Sequence, residues 1–178
     1  MSVVATDRLR LRPWSAGDAE ALAAIFAERD VWYYPFCRGL SRQESDRFLQ
    51  HQLDHWTTHG FGSWAAELEA EGVLIGYIGL AVPTWLPEVL PAVEVGWRLE
   101  PRHWGKGLAT EGGRASLRHG FEVMGLDRII AILQPENAAS ARVVEKLGMR
   151  HHSNVKDSQR GTQLAVYEMT RTDWEDEQ

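Results

Sequence analysis

Apolar and polar positions along the chain change period several times, and each change marks an element. Residues 8–12 alternate Arg-Leu-Arg-Leu-Arg, the two-residue period of a half-buried strand with Leu9 and Leu11 inward. Ser15 with Asp18 three places on reads as a capping box that opens a helix through Ala21, Leu22, Ile25 and Phe26. A second box, Ser41 with Glu44, predicts a longer helix whose Phe48, Leu49, Leu53 and Trp56 share one stripe, stopped at Gly60. Residues 61–69 and 73–82 read as strands around a short "AEG" turn, a hairpin. A loop broken by Pro83, Pro87 and Pro91 then leads into a strand over 92–99. Beyond it the pattern predicts a helix from about Leu108 to Met124, a strand over 128–133, a helix over 138–147 ended by Gly148, and two closing strands. Helices early and late around a largely antiparallel sheet point to an α+β or mixed α/β class rather than a doubly wound nucleotide fold.

Composition narrows the partners. With 178 residues, 44% of them hydrophobic, the chain can bury one core without staples, and a single domain over 1–178 is expected. The formal net charge of −6 argues against nucleic acid as a partner, because backbone binding draws on a basic surplus. One cysteine, Cys37, excludes an internal disulfide and any multi-cysteine metal site; no metal is expected, and the residue reads as a small buried or half-buried side chain. The opening "MSVVATDRLRLRP" turns polar before a signal-like apolar region develops, and the longest apolar stretch, 73–82, is far short of a membrane span. A reduced cytoplasmic protein is the simplest expectation.

The stretch "RHWGKGLAT", residues 102–110, carries the first candidate chemistry. It follows a predicted strand, opens a predicted helix and is glycine-spaced. Such a junction offers backbone N–H groups with no intrahelical partner at the positive end of the helix dipole. Glycines let an anion reach those groups, and Arg102 and Lys106 add charge. A tight turn with solvent-facing charges would look the same. A Walker loop needs four residues between its glycines, and here one residue separates them. Thr110 stands where a dinucleotide fingerprint has its third glycine, so neither common nucleotide loop is present. In the helix that follows, Ala109, Gly113, Ser116 and Gly120 form a small face expected to lie close on the sheet.

Arg102-x-x-Gly105-x-Gly107 resembles the Q/R-x-x-G-x-G/A pyrophosphate loop of the GNAT N-acetyltransferase superfamily. The likeness continues through "AVEVGWRLEPRHWGKGLATEGGRASLRHGFEVMGLDRIIAILQPENAASARVVEKLGM", the opening "TDRLRLRPWSAGDAEAL" and the closing "YEMTRTDW", nearly the whole chain. Its wording is most similar to the RimJ/RimL-like branch, which acetylates protein N-termini and many small amines. The resemblance implies a central, mostly antiparallel sheet of six to seven strands, flanked by about four helices and splayed open beside the strand that ends at Leu99. It implies acetyl-CoA as co-substrate. The pantetheine arm would pair with Trp97 and Leu99, the pyrophosphate would lie on the amides of His103, Trp104, Gly105, Lys106, Gly107, Leu108 and Ala109, and Arg98, Arg102 and Thr110 would be further cofactor contacts. Asn137 would contact the cofactor, although an N-cap reads equally from its place before a helix. Ser140, one turn on, would face the CoA sulfur. The tyrosine that many members use as general acid is absent: Val144 stands at its position and Ser140 replaces the alanine before it.

The implied reaction is attack of a primary amine, of a small molecule or a protein N-terminus, on the acetyl thioester through a tetrahedral intermediate. Glu94 is the candidate base, since it shares a strand face with Gly96 and Arg98 and its burial would raise its pKa. It cannot pair with Arg98, four strand steps or about 13 Å away, though pairing with a basic residue of a neighbouring strand would be an alternative role. Glu67, histidines near the acceptor groove and, for the site floor, Tyr167 are further candidates. Trp32, Tyr33, Tyr34, Phe36 and Trp85 read as an aromatic acceptor pocket or as core packing. A non-catalytic acyl-CoA-binding module is the competing reading and a mononucleotide-binding protein a weaker third; the oligomeric state, including a homodimer, is left open.

Overall fold

A computed structural model describes residues 3–176; Met1, Ser2, Glu177 and Gln178, which bound the expected domain span, lie outside the described residues. Eight strands form one sheet in the order β1-β2-β3-β4-β5-β6-β8-β7. They are β1 (Val4–Ala5), β2 (Leu9–Arg12), β3 (Ser63–Leu68), β4 (Val73–Ala81), β5 (Glu94–Leu99), β6 (Arg128–Leu133), β7 (Arg150–Lys156) and β8 (Gln163–Thr170). The helices among the described residues are α1 (Ala19–Ala27), α2 (Tyr33–Phe36), α3 (Arg42–His59), α4 (Leu108–Arg118), α5 (Ala138–Lys146) and α6 (Arg171–Asp176). The additions to the expected six to seven strands and four helices are the two-residue β1, the one-turn α2 and the short α6. None of these is long enough to display a period.

Both predicted capping boxes form. The first opens a 3-10 turn, Ala16–Asp18, that runs into α1; the second opens α3, which ends at Gly60 in the left-handed conformation. Arg12 ties the first box to the sheet through Asp18 (2.6 Å) and Glu67 (2.7 Å). Glu67 is thereby a structural ion-pair partner and is not placed at the cavity described below. Tyr167 also lies away from that cavity and packs edge-on against His151.

The core has two parts on either side of the sheet's middle. One gathers Leu9, Leu22, Phe26, Trp64, Ile75 and Ile78; the other gathers Leu80, Leu117, Phe121, Ile129 and Met169. Helix α4 crosses both on small residues, but not the set expected. A Cβ on Gly112 would lie 2.5 Å from Ile78, and one on Gly120 would lie 2.5 Å from Ile129, so Gly112, the fully buried Ser116 and Gly120 face the sheet. Gly113 instead faces Leu147 beyond α5, 2.9 Å from where its Cβ would be. After Arg118 the helix widens into a π turn, His119–Val123, which completes the predicted span to Met124. Cys37 departs from expectation: it is exposed and sits at φ 55°, closing the turn after α2.

Every strand pair is antiparallel except β5–β6, which run parallel and are matched only at Glu94↔Ile130. Past that point the two strands diverge, and the sheet opens in its middle.

Candidate functional site

The divergence of β5 and β6 leaves one edge of β5 unpaired while the other edge stays in full register with β4. The Glu100 amide donates to the Ile75 carbonyl (2.8 Å) and the Ile130 amide donates to the Val93 carbonyl (2.9 Å). Those two bonds fix the phase: residues 94, 96, 98 and 100 spend their backbone groups on β4, and residues 95, 97 and 99 turn theirs to the open side. Trp97 and Leu99, the residues expected to pair with an extended ligand, are on that open side. The Leu99 carbonyl already accepts from the Trp104 indole (2.7 Å), which leaves the Leu99 N–H and both backbone groups of Trp97.

The loop from Pro101 to Gly107 follows directly. Its first turn is self-satisfied, because the His103 amide donates to Glu100 and the Trp104 amide to Pro101, each at 3.0 Å. The expected row of amides therefore begins at Gly105, not at His103. The next backbone amide of this segment to reach a carbonyl is that of Glu111, on Gly107 (3.0 Å). Gly105 and Gly107 have φ of 72° and 80°, values that favour glycine and turn successive N–H groups the same way. The space above Gly105 is open. This donor set, a glycine nest running into the N-terminus of the eleven-residue α4, fits a pyrophosphate. From behind, Arg8 pins the loop by donating to the Lys106 carbonyl (2.9 Å) while pairing with Glu111 (2.6 Å).

The charged loop side chains take less part than expected. Arg102 is mostly exposed and pairs with Glu100 (2.7 Å). Burial pushes the His103 imidazole below its ordinary pKa, the nearby Glu100 notwithstanding, so it stays neutral at the cavity wall. Arg98, expected among the cofactor contacts, turns elsewhere. Its guanidinium donates to the carbonyls of Val31 and Tyr34 and lies 3.8 Å from the Trp32 ring centroid.

A cavity of about 770 Å³ runs from this loop through the split to the 31–36 segment. Leu108, Ala109, Thr110, Asn137 and Ser140 line it at the loop end, and Glu94 with all five predicted aromatics lines it at the other. Asn137 is the N-cap of α5: its Oδ1 accepts from the Ser140 amide (3.1 Å), which leaves the side-chain nitrogen as a donor toward a ligand. Val144 is fully buried, so nothing on α5 replaces the missing tyrosine except Ser140, one turn nearer the cavity.

Glu94 is half-buried, and burial pushes its carboxyl up to about 7 although the Trp85 indole donates to it (3.2 Å). It forms no ion pair among the described residues. A carboxyl that titrates near neutrality can take a proton and release it at physiological pH. The histidines divide. His51 lines the cavity, whereas His55 is locked: its Nδ1 donates to Phe61 (2.9 Å), its Nε2 accepts from the Val82 amide (3.0 Å), and burial lowers its pKa. Sequence reasoning missed Gln52, Asp157 and Arg160 at the acceptor end. Gln52 showed as a polar residue on the buried stripe of α3, while the turn between β7 and β8 that carries the other two gave no local signal.

Comparison with known proteins identifies the family. The family model described as "Acetyltransferase (GNAT) domain" matches residues 8–150. The uncharacterised N-acetyltransferase YnaD of Bacillus subtilis is 48% identical over 153 residues, covering 86% of this chain and 85% of that protein. The uncharacterised protein YkkB of the same organism is 32% identical over 165 residues, with 92% of each chain covered. The crystal structure of an acetyltransferase from Agrobacterium tumefaciens superposes with a TM-score of 0.81 at 27% identity, covering 95% of this chain and 94% of that one.

Proposed function

This chain belongs to the GNAT acetyltransferase family, and on that premise we propose that it is a single-domain cytoplasmic N-acetyltransferase of the RimJ/RimL-like branch, moving acetyl from acetyl-CoA to a primary amine. Acetyl-CoA, when bound, supplies the acetyl thioester. The Gly105–Thr110 amides hold the pyrophosphate, Trp97 and Leu99 receive the pantetheine arm on the open edge of β5, and the Asn137 side-chain nitrogen donates to it. The acceptor enters from the aromatic end. Its nitrogen attacks the acetyl carbon and gives a proton to Glu94; the C–N bond forms in a tetrahedral intermediate, the C–S bond breaks, the Ser140 hydroxyl donates a hydrogen bond to the departing thiolate, water protonates that sulfur, and Glu94 returns its proton to solvent. A backbone N–H of β5 faces the carbonyl oxygen as its charge develops.

The observation that carries this reading is the placement of Glu94: a carboxyl with no ion-pair partner among the described residues, pushed up by burial to about 7, in the same cavity as the open strand edge and the glycine nest. The test is CoA release from acetyl-CoA, followed with a thiol reagent, against small amines and peptides with free N-termini. Turnover should appear with an amine, and kcat at saturating amine should rise with pH and level off above about 7. Tight CoA binding with no thiol release from any acceptor would favour the non-catalytic reading; tighter binding of ATP than of acetyl-CoA would remove both.

Asn137→Ala separates the two jobs of that residue. Loss of the cap is expected to lower stability by about 1 kcal/mol in urea unfolding. If the side-chain nitrogen also holds the cofactor, acetyl-CoA affinity should fall several-fold in Asn137→Asp, which keeps the capping oxygen and restores stability.

A further inference from the structure

The acceptor end of the cavity has its own chemistry. Tyr33, Phe36 and Trp85 line the cavity and are each about two-fifths exposed (41%, 40% and 40%), while Trp32 is buried and stacks on Phe36. Single exposed aromatics are ordinary, but three half-exposed ones lining one cavity supply apolar surface suited to a ligand's apolar body. Aromatic faces also attract an ammonium group.

Two contacts bridge the rims of this end. Arg160, on the turn between β7 and β8, lies 6.0 Å from the Phe36 ring centroid, and the Tyr34 hydroxyl donates to the Glu136 carbonyl before α5 (3.1 Å). With Arg98 holding the Val31 and Tyr34 carbonyls from β5, the 31–36 segment is tied on three sides. A polypeptide leaving the site between this segment and the β7–β8 turn would have to part those contacts.

The charges point the same way. The lining carboxylates are Asp30, Glu94 and Asp157. Asp157 is spent on the Gln159 amide (2.8 Å), the Arg160 amide (3.1 Å) and the Arg160 guanidinium (2.9 Å). With Glu94 as the proposed base, only Asp30 among the described lining residues remains for a second ammonium. Of the lining cations, Arg160 is neutralised by Asp157, whereas Arg98 faces only the Val31 and Tyr34 carbonyls and keeps its positive charge at this end. A polyamine would find too few counter-charges here.

Resting on the acetyl-transfer reading, we infer that the acceptor is a small amine carried on an aromatic or flat apolar body, and neither a polyamine nor a polypeptide N-terminus. The test measures binding and turnover side by side. Protein saturated with CoA is titrated calorimetrically with 2-phenylethylamine, spermidine and a tetrapeptide with a free N-terminus, and the same three are run as acceptors in thiol release. Phenylethylamine should bind about tenfold tighter than the other two and give the highest kcat/KM. Phe36→Leu, which keeps an apolar side chain without the ring, should weaken phenylethylamine binding about fivefold and leave acetyl-CoA affinity unchanged, with the melting temperature as the fold control. Equal or tighter binding of spermidine or the tetrapeptide, or an unchanged affinity in Phe36→Leu, would overturn the inference. Tight phenylethylamine binding without thiol release would uphold the acceptor class and defeat the transfer reading. Thiol release that prefers spermidine or the tetrapeptide would do the reverse.

Discussion

Glu94→Gln is expected to lower kcat by roughly 10²–10⁴-fold, the usual worth of a positioned base, with little change in acetyl-CoA affinity. Gln keeps the shape and can still accept from the Trp85 indole, so the loss isolates the proton acceptor. The same substitution should move stability in the opposite direction. The carboxyl is raised by burial from an ordinary 4.5 to about 7 in the folded protein, so between those values the folded state holds more protons than the unfolded one. Stability contributed by the neutral form is therefore fully present below about 4.5 and is lost as pH rises through about 7. Gln carries no such loss. At about pH 8 the variant should be more stable than the wild type by about 2–3 kcal/mol after allowance for partial solvent contact, and near pH 4 the two should match. Urea unfolding at the two pH values, paired with single-turnover rates, reads both effects. A variant with unimpaired rate would remove Glu94 as the base, and a variant with no pH-dependent gain would show the carboxyl to be unperturbed.

Gly76→Ala should be the most damaging single-methyl change in the sheet. Gly76 has φ 138° and faces Leu99 in the β4–β5 register. A Cβ there would fall 2.1 Å from the Arg98 carbonyl oxygen and 2.9 Å from the Leu99 Cα, both backbone atoms that cannot rotate away. The strands must separate, at an expected cost of about 3–5 kcal/mol. Gly72→Ala is the control: φ is positive there too, at 63°, but nothing lies within 4 Å of the added carbon, and only the left-handed penalty of about 1 kcal/mol is due. Because β5 also carries Trp97 and Leu99, folded Gly76→Ala protein should bind acetyl-CoA more weakly. A loss of under about 1 kcal/mol would mean that β4 and β5 give way more easily than their register implies.

What the sequence made legible was what depends on neighbours along the chain. The boxes at Ser15 and Ser41, the stop at Gly60, the strand around Glu94 and the glycine-spaced loop each follow from residues within a turn or two of one another. The resemblance named Glu94, Asn137 and Ser140 as site residues, and all three line one cavity. Contacts made across the fold were not legible. Nothing local shows that Arg98 would turn from the split to hold the 31–36 carbonyls, or that Arg160 would meet Phe36 from the far hairpin. The small face of α4 failed by one position for the same reason: Gly112 and Gly113 are both small, and only the positions of Ile78 and Leu147 decide which of them meets the sheet. The His103 and Trp104 amides dropped from the cradle because Pro101 starts a 3-10 turn that uses them.

The glycine nest and the open edge of β5 together are the centre of the proposed function, and calorimetric titration of acetyl-CoA into wild-type and Gly107→Val protein tests it most directly. Gly107 holds φ 80° at the start of α4, a conformation a β-branched residue adopts only with strain of about 1–2 kcal/mol. Wild-type protein should bind acetyl-CoA on the order of micromolar and more tightly than ATP, and Gly107→Val should weaken that binding by about tenfold or more while still unfolding cooperatively. Equal acetyl-CoA affinity in the two proteins, or tighter binding of ATP by the wild type, would contradict it.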